Sequence, residues 1–209
     1  MVLLFIGFFV ALVVVIFIVA RKMRQKRIHA LQVFAAQNGW TFVPNATVQT
    51  SFQNPDAYAI FNRGRRDLIA LMHRQHDGGA AYVFDYAYTV GSGKNQQTYT
   101  QTVVAFNTPR LRIPFFALYP ESFLSFIGEM FGYNDIDFHT HPAFSKRFKL
   151  TGRDEMPIRG IFHPQALSFF ENLPNIRVDG GGNYLFVYVH NQTVKPEILN
   201  GFLATALNI

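Results

Sequence analysis

Cysteine is absent from this chain, which excludes a disulfide framework, thiolate metal ligands and a cysteine nucleophile. Charge is scarce, at 15% of residues against 49% hydrophobic and 16% aromatic. That balance belongs to a folded protein and excludes a disordered polyelectrolyte. No Gly-x-Ser-x-Gly occurs, and no glycine-rich strand–helix unit is present to hold a nucleotide. Neither an internal repeat nor a low-complexity segment interrupts the 209 residues. Most telling is the local lack of charge: residues 1–20 contain no Asp, Glu, Lys or Arg.

What is present begins with that run. Val2 to Ala20 reads VLLFIGFFVALVVVIFIVA, and as a helix rising 1.5 Å per residue it would span roughly 29 Å, close to the hydrocarbon thickness of a bilayer. A cleaved signal peptide would carry its positive charges before a shorter apolar core; here they follow it. Arg21, Lys22, Arg24, Lys26 and Arg27 form a basic juxtamembrane segment. The positive-inside rule then predicts a single-pass protein with its N-terminus outside and its C-terminal domain in the cytoplasm. The five cations are expected to sit at the membrane surface, against anionic headgroups.

The formal charge of +6 looks like that of a nucleic-acid binder until it is located. Beyond residue 27 there are 14 Lys or Arg against 13 Asp or Glu. The excess therefore reports topology, and no nucleic-acid partner is expected.

Residues 1–27 are assigned as the anchor (span 2–20) and its basic segment, and residues 28–209 as one globular domain able to fold without the anchor. Ile28, Leu31, Phe34 and Ala35 recur at helical spacing, with Asn38-Gly39 as the stop. The period then changes to two. Strands are predicted at 40–43, 58–62, 66–74, 80–90 and 96–106, with turns at Asp77-Gly78-Gly79 and Gly91–Asn95. Tyr82, Phe84, Tyr86 and Tyr88 would share one strand face. A short stretch at 111–118 follows, in which Phe115 and Phe116 would place one ring on each face. Pro120 and Glu121 would open a helix carrying Phe123, Phe126, Ile127 and Met130 and ending at Gly132. Further strands are predicted at 146–151 and 157–162, a helix from Pro164, a hairpin turning at Asp179–Gly182, and a last helix from Pro196. The fold class expected is α+β with a mostly antiparallel sheet.

The stretches VFDYAYTVGSGKN (83–95), FALYPE (116–121) and DIDFHTHPAFSKRFKLTGRDE (135–155), behind an anchor and a helix ending FAAQNGW (34–40), resemble a family of uncharacterised bacterial membrane-anchored proteins. The resemblance implies a bacterial inner-membrane setting and carries no activity, ligand or fold.

The best chemical candidate is Asp135-Ile-Asp137-Phe-His139-Thr-His141. In an extended chain its two carboxylates and two imidazoles would line one side, a donor set suited to zinc, manganese or iron. A metal-dependent hydrolase is therefore the alternative reading. Against it, Pro142 follows at once and no other region supplies a further ligand. The expectation is a binding or scaffolding domain at the inner membrane with no cofactor and no catalytic residue. Its partners would be the lipid bilayer and another membrane or cytoplasmic protein.

Overall fold

The apolar run and the basic segment form one continuous helix, α1 (Val2–Gln37). The computed structural model describes residues 2–62, 64–76, 78–121, 135–173 and 175–209. Gly39 ends the helix with φ +69°, and the Trp40 N–H returns to the Ala35 carbonyl at 2.9 Å. A short strand, β1 (Thr41–Val43), and a single helical turn, α2 (Val48–Ser51), follow. Where the alternation predicts a strand at 58–62, the chain makes two 3-10 turns, Pro55–Ala57 and Ala59–Phe61. Tyr58, Ile60 and Phe61 are all buried. A strand would turn one of the adjacent pair Ile60 and Phe61 outward, whereas a tight turn sends both inward.

The predicted meander is present as β2 (Arg65–His76), β3 (Gly79–Val90) and β4 (Gln97–Asn107). The β3–β4 turn uses positive φ at Gly91 and Gly93; Asn95, expected to share that role, does not. Next comes β5 (Ile113–Pro120), which keeps Pro120 inside the sheet opposite Phe148. The helix expected to open at Pro120 therefore does not begin there, and residues 122–132 of that expectation lie outside the described residues. After α3 (Pro142–Arg147) and β6 (Phe148–Gly152), residues 157–162 depart from expectation by belonging to a helix, α4 (Glu155–Ile161). Ile158 and Phe162, four apart, both enter the core, and Arg159 pairs with Glu155 one turn earlier at 2.6 Å. Pro157 falls in the first turn, where its missing N–H costs nothing. The chain closes with α5 (Pro164–Glu171), β7 (Ile176–Gly182), β8 (Tyr184–Val189) and α6 (Pro196–Leu207).

The eight strands form one antiparallel sheet in the order β1-β2-β3-β4-β8-β7-β5-β6. One face packs Ala70, Met72, Val83, Val104, Val178 and Val187 against α1 and the shorter helices. The other is aromatic: Phe84, Tyr86, Tyr88, Phe186 and Tyr188 meet Phe52, Tyr58 and Phe61 from the turns. Phe61 stands edge-on to Phe186 at 5.1 Å and to Tyr86 at 5.4 Å, the geometry ring quadrupoles favour.

Of the glycines read from sequence as a turn, Gly180 and Gly181 lie within β7, and Gly182, the last residue of that strand, has φ +55° at the turn into β8. A Cβ on Gly180 would stand 2.4 Å from the Phe116 ring, and one on Gly181 would stand 2.2 Å from the Phe115 ring. Gly180 and Gly181 thus permit close approach of the two phenylalanine rings to β7, one on each face, whereas Gly182, with no neighbour at its Cβ position, serves the turn.

The tie that sets α1 on the sheet is polar. Asp85 sits in β3, 1% exposed, between Val83 and Ala87 on the helix-covered face. Arg27 donates to both its oxygens, at 2.7 and 3.1 Å, and Thr102 of β4 donates to Oδ1 at 2.6 Å. The Thr102 hydroxyl in turn accepts from the Val194 N–H at 2.8 Å. One turn up the helix, Arg24 pairs with Asp67 at 2.8 Å. A domain boundary after residue 27 therefore passes through α1 and separates Asp85 from its cation.

Removing one partner of a buried pair strands the other charge, at a cost of about 3–5 kcal/mol. A fragment of residues 28–209 is therefore expected to unfold at lower urea than one of residues 21–209 by an amount of that order, and Arg27→Ala should reproduce the deficit in the longer fragment. Equal midpoints would show that the pair carries no net stability. Gly180→Ala should cost about 1–3 kcal/mol by overpacking, because Phe116 is itself wedged against Phe162 at 5.2 Å. Gly181→Ala should cost less, since the half-exposed Phe115 ring can swing out. The order of thermal midpoints tests the interlock.

Candidate functional site

The Phe–Gly interlock shapes a cleft beside β5. A bulge in β5 between Ile113 and Phe116 turns Phe115 onto the aromatic face of the sheet, where it remains 44% exposed. Beside it the 3-10 turns stop short of the sheet edge. The gap is a cleft of about 440 Å3. Asn54, Asp56 and Ala59 form one wall, Phe115 and Ala117 the floor, and Thr151, Arg153 and Asp154 the other wall.

Tyr58 supports that floor. Its ring lies 5.5 Å from Phe115, and its hydroxyl donates to the Gly181 carbonyl at 3.0 Å. Burial, with a smaller contribution from the neighbouring Tyr184, pushes its pKa up to about 12. The hydroxyl thus keeps its proton and its bond through the physiological range. Asp56 is held by Arg66, while Arg153 and Asp154 are exposed at the start of α4. The cleft thus offers one aromatic surface, two carboxylates and a guanidinium. Among the described residues no histidine lines it, so no imidazole is placed to activate a nucleophile. Its lining allows stacking or apolar contact on Phe115, with charged groups at the rim.

The Asp/His stretch lies elsewhere, along the outer edge of β6. Ile136 and Phe138 enter the core, which turns Asp135, Asp137 and His139 outward. Asp135 accepts from the Leu150 N–H at 3.1 Å. Burial raises its pKa, opposed by that hydrogen bond and by Lys149. Asp137 contributes its backbone carbonyl to Arg159 at 2.8 Å, with its side chain exposed. His139 is exposed, and the His141 ring meets the Thr140 hydroxyl at 3.1 Å. Among the described residues no three His, Asp or Glu side chains converge to hold an ion. The visible work of the stretch is to cover the β6 edge, with the Ile136 N–H donating to the Leu150 carbonyl at 2.8 Å. His163 caps α5, its ring accepting from the Ala166 N–H at 3.4 Å.

Of the five basic residues, Arg24 and Arg27 are drawn into the ion pairs described above, while Arg21, Lys22 and Lys26 are exposed. Asp85 was missed as a partner in the sequence. The available signal was an acid at the valine–alanine positions of an otherwise apolar strand, AYVFDYAYTV, within a chain carrying a cationic run. The cleft had no such signal, because its walls come from segments about 60 and 100 residues apart.

No family model and no curated protein matches this chain. Among solved structures, the fold is similar to that of the mycobacterial trehalose monomycolate transport factor A, TtfA. The TM-score is 0.54 at 10% identity, over 85% of this chain and 89% of that one.

Proposed function

We propose that this is a single-pass protein of the bacterial inner membrane, N-terminus outside, whose sheet domain acts on the cytoplasmic side as a binding or scaffolding module. The observation that carries the reading is the collar of apolar side chains on α1. Thirteen large hydrophobics between Phe5 and Val19 are all exposed, among them Phe8 at 71% and Phe17 at 66%. At roughly 1.5–3 kcal/mol for each such side chain, leaving them in water costs tens of kcal/mol, and a bilayer removes that cost. Five cations follow the collar within seven residues, which favours a cytoplasmic domain.

A non-catalytic role is supported by the cleft lining, which is built for contact, and by the fold shared with a protein named as a transport factor. The partners we assign are the bilayer itself and a membrane or cytoplasmic protein that engages the Phe115 cleft. Because α1 is continuous into the domain and pinned by Arg24 and Arg27, the cleft is presented at a fixed height above the membrane.

The orientation is tested with reporters fused after Ile209 of the full chain. One active only in the cytoplasm should be active, and one active only after export should be silent. Replacing all five residues Arg21, Lys22, Arg24, Lys26 and Arg27 by neutral ones should weaken that bias. An active export reporter on the unmodified chain would overturn the cytoplasmic assignment.

A further inference from the structure

Helix α1 and strand β2 lie side by side, and three ties measure one against the other. Arg24 pairs with Asp67; Arg27 pairs with Asp85, which stands opposite Ala70; Arg74 donates to the Asn38 carbonyl at 3.5 Å. The ties occur in the same order along both elements. From Arg24 to Asn38 the helix advances ~21 Å at 1.5 Å per residue. From Asp67 to Arg74 the strand, with one extra residue in a bulge between Leu68 and Ala70, advances ~20 Å at about 3.3 Å per residue. The two therefore run nearly parallel, and the strand serves as a ruler for height along the helix.

Continued toward the N-terminus, that ruler leaves the basic segment. Arg65, two residues before Asp67, stands ~7 Å higher, level with helix residues near 19 and 20. Arg65 pairs with Thr89, and Thr89 with Thr98. The β3–β4 connection at residues 91–96 is thus carried to the level where the apolar collar begins. This rim is polar and basic. Arg65 and Lys94 are exposed, as are Ser92, Asn95 and Gln96. No Asp or Glu occurs from Tyr86 to Pro120, and the nearby Asp67 is engaged by Arg24.

We infer that the β3–β4 hairpin tip, with Arg65 and Lys94, docks on anionic phospholipid headgroups of the same bilayer that α1 crosses. It completes with Arg21, Lys22 and Lys26 a cationic rim that holds the sheet upright against the membrane. The inference rests on the reading of α1 as a membrane span. The tip's polar side chains suit it to the headgroup layer and not to the hydrocarbon beneath. Tethering by α1 makes this second contact intramolecular, so a few cations suffice for it.

The cysteine-free sequence makes the test direct. The full chain is placed in nanodiscs of phosphatidylcholine, with and without phosphatidylglycerol, carrying one nitroxide at Ser92→Cys, Phe9→Cys or Gln75→Cys. A nickel chelate on lipid headgroups relaxes any label near them. In anionic discs the label at 92 should be relaxed several-fold more than the label at 75, which lies at the far end of β2. Arg65→Glu with Lys94→Glu should lower the relaxation at 92 several-fold. A label at 92 as aqueous as that at 75, with the label at 9 in the hydrocarbon, would overturn the inference and leave the span standing. Relaxation at 92 that ignores both lipid charge and the two substitutions would overturn anionic recognition. An aqueous label at 9 would overturn the span, and the inference with it.

Discussion

A carboxylate in the middle of a sheet, out of reach of water, has to be matched, and here its match decides how the molecule is assembled. Asp85 occupies a central strand, covered by a helix, and Arg27 and Thr102 satisfy both its oxygens. The Thr102 hydroxyl also anchors the Val194 N–H, so the chain entering α6 is tied to the same point. Helix α1, two central strands and the C-terminal helix thus converge on one charge. An apolar stripe such as Ile28, Leu31, Phe34 and Ala35 can slide along a sheet at modest cost. A bidentate pair on a buried carboxylate cannot, because displacement leaves Asp85 buried without its cation. The basic stretch of α1 is consequently tied to the sheet.

The two faces of the sheet divide the remaining work. On the helix side, Ala70, Met72, Val83 and Val104 share a core with Leu31 and Phe34 of α1 and with phenylalanines of the shorter helices. On the other side, rings from β3, β8 and the 52–61 segment interlock at centroid distances near 5–6 Å. The Phe115-Phe116 pair joins the two layers, because β7 removes its side chains where the rings must lie. Phe116 goes to the helix side and is buried, whereas Phe115 goes to the aromatic side and stays partly open. The same packing solution that closes the core therefore leaves an aromatic floor on the surface. That floor, with Asp56, Arg153 and Asp154 around it, is the feature best suited to a partner.

The metal hypothesis illustrates how alternation can be read correctly and still mislead. Asp135, Asp137 and His139 do share the outward side, as period two requires, because Ile136 and Phe138 occupy the inward one. Convergence is a different condition, since it needs a backbone that curves the donors toward one point. Here the segment lies along the β6 edge, and its carboxylate and carbonyl groups are used to satisfy Leu150 and Arg159.

The features legible in the sequence are those governed by neighbours along the chain. The apolar run, the basic segment behind it, the helical stop at Asn38-Gly39 and the 80–107 hairpin all follow from charge, period and turn chemistry within a few residues. The antiparallel α+β class followed from the same local signals. Tertiary structure alone decided the rest. Residues 58–62 and 157–162 had strand-like composition, but burial of adjacent or four-apart side chains drew them into turns and a helix. Two glycines that suit a turn, Gly180 and Gly181, became strand because rings 64 and 66 residues away needed their space. Arg27, one of five cations counted together at the membrane surface, was taken into the core by a carboxylate 58 residues distant. Local patterns fix which way a side chain faces, and only the folded chain supplies what it faces.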